Sequence, residues 1–188
     1  MLTAVLDKES GTRRPVLMHW GLIPSWSKEP KMKFATFNAK AETVSTLPTF
    51  KGAWQAGRRC LVVTDGFYEW RKSDKQPFAI ACAGGLTIMA GLWEKWHSPA
   101  GEKLNSCTII TSDANEDIAS LHNRMPVILA PDDWPRWLGE QPANEDELKG
   151  LLKPAPADML KLWPVSKRVG SVKNNEPTLW DPIVLTAA

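Results

Sequence analysis

Hydrophobic and polar positions along this chain change phase every few residues, which predicts many short strands and few short helices. Leu2–Leu6 is an apolar run closed by the turn signal Asp7-Lys8-Glu9-Ser10-Gly11, and Arg14–Ile23 (RPVLMHWGLI) reads as a second strand. The chain is therefore expected to open with a hairpin. Pro24-Ser25-Trp26 breaks the pattern, and Ser27–Lys33 reads as a polar, lysine-bearing loop. Phe34–Asn38 is too short to classify. In Thr46–Gly57, the residues Leu47, Phe50, Ala53 and Trp54 share one helical face, and Gly57 supplies a stop.

Beyond Gly57 strands dominate. Arg59–Thr64, Phe67–Trp70, Pro77–Cys82, Leu86–Trp93 and Ser106–Thr111 are β-branched or apolar runs separated by turn residues, with a loop at His97–Asn105. Ser112-Asp113 is placed to cap a short helix over Ala114–Leu121. His122–Met125 reads as a polar loop, Asp132–Gly139 and Glu145–Leu152 as surface helices, and Leu162–Val169 as a last strand. Strands mixed with scattered short helices predict an α+β fold with a mostly antiparallel or mixed sheet. A doubly wound sheet does not fit, and there is no glycine-rich phosphate loop.

Length and composition narrow this further. At 188 residues the chain is expected to form a single domain over 1–188 with a substantial core. Its 43% apolar and 23% charged residues exclude global disorder. No apolar run approaches the roughly 18 residues of a membrane span, and the first residues lack a secretory pattern. The expectation is a cytoplasmic protein without a membrane partner. Cys60, Cys82 and Cys107 are too few and too scattered for a disulfide framework or a metal site. No metal and no nucleotide cofactor is expected. The outlier is tryptophan, ten residues against one Tyr and five Phe. A buried indole needs a partner for its N–H, so rings in excess of the core are candidates for a binding surface.

Three segments gather polar, titratable and aromatic residues at strand edges: Trp20–Trp26 with Phe37–Thr43, Thr64–Trp70, and Leu121–Pro126. Glu69, between Tyr68 and Trp70, has the aromatic setting that suits a general acid; it equally suits an outward-facing edge position. His122 has the chemistry of a proton shuttle or of a loop residue. Asn38 could orient a substrate through its amide or simply serve a turn. His19 reads as structural and His97 as solvated.

The net charge is only +2, yet Lys28, Lys31, Lys33, Lys40, Arg71, Lys72, Arg124, Lys167, Arg168 and Lys173 flank these segments. The acids gather at Asp132-Asp133 and Glu140–Glu147. Lysines beside Trp26 and Phe37 have the composition of a groove in which charge tracks a nucleic-acid backbone and rings stack on bases. Ordinary surface lysines and core tryptophans would give the same composition.

The blocks WGLIPSW, FNAKAET, TDGFYEW, LHNRMP and WPVSKRVGSVKNN occur in an order and spacing that resembles the SRAP family, the SOS response-associated peptidases, from about Val16 to about Asn175. The resemblance implies a compact α+β fold, built round a curved sheet, with a basic groove for single-stranded DNA. It also implies covalent capture of abasic sites and autoproteolytic removal of the initiator Met. In that family the nucleophile is a Cys directly after Met1. Its amine condenses with the sugar aldehyde and its thiol closes a thiazolidine ring. By motif, the resemblance assigns acid–base work to Glu69, Schiff-base proton transfer to His122, and orientation of the N-terminal group to Asn38. It assigns DNA contacts to Trp26, Lys40 and Arg124.

Two positions depart from the family pattern. Lys40 stands where the family usually has Arg, which keeps the charge and loses the bidentate fork. The chain begins Met1-Leu2-Thr3, without the Met-Cys-Gly-Arg opening, so the expectation is a domain truncated at its N-terminus with impaired chemistry. Cys60, in a strand expected to be buried, has no free amine beside it and is a poor substitute, as are Cys82 and Cys107. The alternative expectation is a non-catalytic relative that binds single-stranded DNA.

Overall fold

The opening hairpin forms as expected: β1 (Leu2–Leu6) pairs antiparallel with β2 (Arg13–Leu17), Leu2 opposite Leu17 and Leu6 opposite Arg13. In the computed structural model, which describes residues 1–98 and 100–185, the chain divides into two compact units. The first comprises Met1–Val63, Ile88–Ser112 and Pro126–Pro154; the second comprises Thr64–Thr87, Asp113–Met125 and the chain from Ala155 onward.

In the first unit the sheet continues from β2 and β1 to β5 (Arg59–Thr64), β8 (Thr87–His97) and β9 (Lys103–Asp113). The β1–β5 and β8–β9 pairs are antiparallel. Two short strands, β3 (His19–Trp20) and β4 (Asn38–Lys40), lie parallel to β9, so the sheet is mixed. Helices α1 (Pro48–Gln55), α3 (Trp134–Leu138) and α4 (Glu145–Gly150) bury Phe50, Trp54, Trp137 and Leu148 with Leu22, Ala39, Val44, Leu92 and Ile110 of the same core. A capping box at Asn144 and Glu147 starts α4, satisfying two backbone N–H groups reciprocally.

The second unit is built on a three-stranded antiparallel sheet in the order β11 (Leu160–Pro164), β7 (Pro77–Cys82), β6 (Phe67–Trp70). It also holds α2 (Glu116–Ala119) and β10 (Arg124–Pro126), the latter continuing into the first unit at Pro126. Trp180 packs edge-on against Tyr68 and Trp163, with ring centres 5.1 and 5.2 Å away. Trp163 Nε1 donates to the Trp180 carbonyl at 2.8 Å. The buried Gln76 amide donates to the carbonyls of Pro77 and Val165. These contacts give the small sheet its own core.

The α+β class and the mostly antiparallel, mixed sheet are those expected. Several boundaries differ, each for a local reason. Helix α1 begins at Pro48, because proline bars the residue before it from helical backbone, and Leu47 is extended (φ −66°, ψ 127°). The loop expected at His97–Asn105 is shorter than read, because strand enters it from both ends: Trp96 faces Leu104 and His97 faces Lys103. Polar residues there alternate with the apolar pair, a period-two signal masked by their charge. Ser112 and Asp113 end β9, and the cap of α2 is Asn115, whose side chain accepts from the Ile118 N–H at 3.0 Å. The final strand is β11, ending at Pro164; Lys167–Gly170 is a 3-10 turn. Within 122–125, Arg124 and Met125 already belong to β10. Among the described residues no helix is long and apolar enough to cross a membrane.

Tryptophan usage now has a physical account. The N–H groups of Trp20, Trp96, Trp134, Trp137 and Trp163 each donate to a backbone carbonyl. These rings therefore enter the packing without leaving an unpaired donor. Trp26 does not follow this pattern; it is 62% exposed.

Candidate nucleic-acid interface and acid–base residues

In the first unit the interface begins with the parallel pairing to β9. Asn38 lies opposite Ile109, Ala39 opposite Ile110 and Lys40 opposite Thr111. Ala39 is fully buried, so alternation along the strand turns Asn38 and Lys40 to the same exposed face. Hydrogen bonds from Ile109 N to Phe37 O (3.0 Å) and from Ala41 N to Thr111 O (2.9 Å) fix the backbone on either side. The Asn38 amide and the Lys40 ammonium thus stand on a rigid element.

Next to this strand the rings gather. Trp20 meets Phe37 edge-on with centres 5.3 Å apart, and its Nε1 donates to the Phe37 carbonyl at 2.9 Å. Gly21 lies between them at φ +119°, a conformation reserved for glycine, and a Cβ there would sit 3.3 Å from the Phe37 ring. Trp26 projects from a loop pinned by Trp96 Nε1, which donates to the Ser27 carbonyl at 2.7 Å. A cavity of about 300 Å³ is bordered by His19, Lys31, Lys33, Phe34 and Phe37. Trp20, Trp26, Phe34 and Phe37 are all exposed, as are Lys28, Lys31, Lys33 and Lys40. Among the described residues these lysines enter no ion pair. Exposed rings beside unpaired ammonium groups can stack bases and hold phosphates.

His19 and Phe34 were not legible as surface elements of this kind. His19 reads from its strand pattern as structural, and its two-residue strand leaves it exposed. Phe34 was an isolated ring in an unclassified stretch. A lone aromatic within a lysine-rich loop was the signal available for it.

In the second unit Glu69 lies on β6 opposite Phe78, half-buried, and its Oε1 accepts from the Trp70 N–H at 3.2 Å. The neighbouring Tyr68 hydroxyl is pushed above its ordinary pKa by burial. His122 follows α2, its N–H bonded to Ile118 O at 2.9 Å. Its Nδ1 is 3.1 Å from the Arg124 N–H and 3.2 Å from the Arg124 carbonyl. Nδ1 can therefore accept when bare or donate when protonated, which holds the ring in either state and leaves Nε2 for other work. His122 and Arg124 are brought together in this way.

Arg124 is ion-paired: its Nη1 donates to Asp113 Oδ1 at 2.8 Å. Arg71 forks onto Asp74 at 2.9 and 2.6 Å, and Arg168 pairs with Glu176. The arginines of the expected basic set are therefore largely neutralised by local acids, whereas the lysines of the first unit are not. Cys60 and Cys107 are wholly buried. Burial, with the neighbouring Cys107, drives the Cys60 thiol well above its ordinary pKa, and burial pushes Cys107 up to about 11. Neither is a nucleophile at neutral pH. Among the described residues no His, Cys, Asp and Glu cluster could hold a metal ion.

The chain is thus a mixed-sheet α+β protein whose first unit exposes rings and lysines and whose second unit carries a half-buried carboxylate on β6 and an oriented imidazole after α2. The family model of the SOS response associated peptidase (SRAP) matches residues 1–172. The chain belongs to the SRAP family. It is 42% identical over 166 residues to the abasic site processing protein YoqW of Bacillus subtilis, a match covering 86% of this chain and 74% of that one. With the abasic site processing protein HMCES of Gallus gallus it shares 37% over 205 residues, 95% of this chain and 60% of the relative. A crystal structure of a Bacteroides thetaiotaomicron protein superposes with a TM-score of 0.84 at 25% identity, covering 97% of this chain and 81% of the other. A Bordetella bronchiseptica protein gives 0.76 at 29%, covering 88% and 83%.

Proposed function

We propose that this domain recognises abasic sites in single-stranded DNA, and that with an N-terminal Cys it captures them covalently and removes its own initiator Met. The observation that carries the reading is membership in a family whose relatives are abasic site processing proteins, joined to the exposed surface of Trp20, Trp26, Phe34 and Phe37 among unpaired lysines.

The chemistry follows from the functional groups. An abasic deoxyribose in its ring form hides an aldehyde. Glu69, as acid and base, passes a proton between the ring oxygen and the anomeric hydroxyl so that the ring opens. The N-terminal amine adds to the carbonyl carbon, and loss of water gives the Schiff base. His122, held at Nδ1 by Arg124, moves protons through Nε2 as the hydroxyl departs. The thiol sulfur then adds to the imine carbon, its proton passing to nitrogen, and a thiazolidine results. No oxidant or reductant is needed. Asn38 orients the N-terminal group, Lys40 and Arg124 contact the DNA backbone or sugar, and Trp26 stacks beside the lesion. The required Cys is not in this sequence, and the buried Cys60 and Cys107 do not replace it. A protein of this activity would work in the cytoplasm, at the nucleoid.

The test compares a Met-Cys-bearing form with its Glu69→Gln variant on abasic single-stranded DNA. The reading expects a heat-stable adduct whose formation slows at least tenfold in the variant, with unchanged DNA affinity. Equal rates would remove Glu69 from the chemistry and favour a module that only binds DNA.

A further inference from the structure

A second cleft, of about 650 Å³, opens in the first unit where the β1–β2 turn approaches the end of α1. Its charged lining is mostly self-paired. Arg58 binds the buried carboxylate of Glu94, and Arg14 lies 3.6 Å from Asp7, whose Oδ1 also accepts from the N–H groups of Glu9 and Ser10. Glu9 and Lys8 are exposed on the rim and enter no ion pair among the described residues.

Arg59 is the exception within the cleft wall. Its guanidinium lies 5.4 Å from the centre of the Trp54 ring and 5.7 Å from that of Trp137. It has no carboxylate partner among the described residues, and its Nε is buried without a hydrogen bond. Stacking on indole returns part of the cost of desolvating a cation. It does not satisfy the in-plane Nε–H, because a ring face meets the guanidinium plane and not its edge. Burial accordingly depresses the Arg59 pKa. The edge is also left uncovered by the chain. Gly57, at φ +64°, sits where a Cβ would come within 3.4 Å of Arg59 Nη1. A planar guanidinium with both indoles on one side of it, their centres 6.1 Å apart, and with its Nη1 beside a glycine leaves its remaining edge as a fork for two oxygen atoms.

We propose that this cleft is a binding site for a small oxyanion-bearing ligand, a phosphate monoester or a carboxylate. Arg59 receives its anionic group, Lys8 adds charge at the rim, and the ligand's apolar body lies against Trp93 and Leu138. The site uses none of the residues assigned to abasic-site chemistry.

The experiment is a titration of the ¹⁵N-labelled chain, at constant ionic strength set with chloride, against inorganic phosphate, thymidine 5′-monophosphate and benzoate in parallel. The expected result is saturable shifts at the amides of Gly57, Arg58 and Arg59 and at the Trp93 indole. Arg59→Gln should weaken the affinity at least tenfold. Stronger binding of the phosphates assigns the site to a phosphorylated ligand and stronger binding of benzoate to a carboxylate; both support an oxyanion site. If Arg59→Gln does not fold, Arg59→Lys keeps the charge without the fork and should bind severalfold more weakly. The proposal is overturned if no anion gives saturable shifts at these residues, or if binding survives intact in the Arg59 variant that folds.

Discussion

Gly66, in the turn that leads into β6, has no room for a side chain. A Cβ there would lie 2.2 Å from the Ile80 carbonyl oxygen and 2.8 Å from the edge of the Trp180 ring. Ile80 cannot retreat, since β7 is bonded on its other side to β11, Ile80 opposite Leu162. In Gly66→Ala the strand that moves is therefore β6. Ordinary contact begins at 3.4 Å, so it must shift by roughly 1 Å. A forced insertion of this kind costs about 1–3 kcal/mol, which lowers Tm by about 2–12 °C for a chain of this length. Glu69 is three residues further along the same strand. In the acid–base role proposed for Glu69, a displacement near 1 Å costs about 100-fold in rate. The assay pairs thermal unfolding with single-turnover adduct formation on abasic single-stranded DNA, both in the Cys-bearing form. Gly84→Ala is the control, because nothing lies within 4 Å of its Cβ. A Gly66→Ala protein with unchanged Tm and unchanged adduct rate would refute the reasoning.

Other outcomes follow from single contacts. Glu94 is buried, its side chain 3% exposed, against Arg58. Arg58→Ala should cost about 3–5 kcal/mol in a urea titration, with most of the loss recovered by adding Glu94→Gln, since the penalty is an uncompensated buried carboxylate. Hydrogen bonds from Arg13 at 2.6 and 2.9 Å hold the Glu140 carboxyl below its ordinary pKa. A depressed folded value gives stability that is present above the unfolded value of about 4.3 and lost as pH falls through the folded one. Urea midpoints of the wild type should therefore drop more steeply on acidification below that pH than those of Glu140→Gln. Trp137→Phe removes the donor to the Cys60 carbonyl and should cost about 1–3 kcal/mol by thermal unfolding. Iodoacetamide should modify Cys82, which is half-buried, long before Cys60 or Cys107; the rate should rise with pH because the thiolate is the nucleophile, and be slow near neutrality because burial raises its thiol pKa.

Much of the fold was legible where side-chain periodicity and backbone chemistry agreed. Alternating β-branched runs marked β5, β6 and β7 to the residue, because nothing in their composition competes with a strand. Where charge interrupts the alternation, as from Trp93 to Asn105, the strands were shortened, although cross-strand pairs such as Trp96 with Leu104 carry the ladder through the polar positions. Proline set the true start of α1 at Pro48, a local rule that outweighed the helical face beginning at Leu47. The parallel placement of β3 and β4 beside β9 had no signature, since register between distant two- and three-residue strands is decided by the packing around them.

The site was legible as segments rather than as geometry. Motif order singled out Asn38, Glu69 and His122. The alternation that turns Asn38 and Lys40 outward around a buried Ala39 needed the β9 pairing to be seen. The loss of free charge at Arg71, Arg124 and Arg168 needed their acids: Asp74 is three residues from Arg71, whereas Asp113 and Glu176 are eleven and eight residues from their partners. Arg59 had no sequence signal, because its stacking rings come from α1 and α3.

Asn38, Glu69 and His122 are proposed to perform abasic-site chemistry once an N-terminal Cys is supplied. The most direct measurement incubates the present chain and a form beginning Met-Cys with abasic single-stranded DNA, with and without borohydride, and reads both on a denaturing gel. The account predicts a heat-stable adduct, independent of borohydride, from the Cys-bearing form alone. No adduct from either form would contradict the acid–base roles of Glu69 and His122.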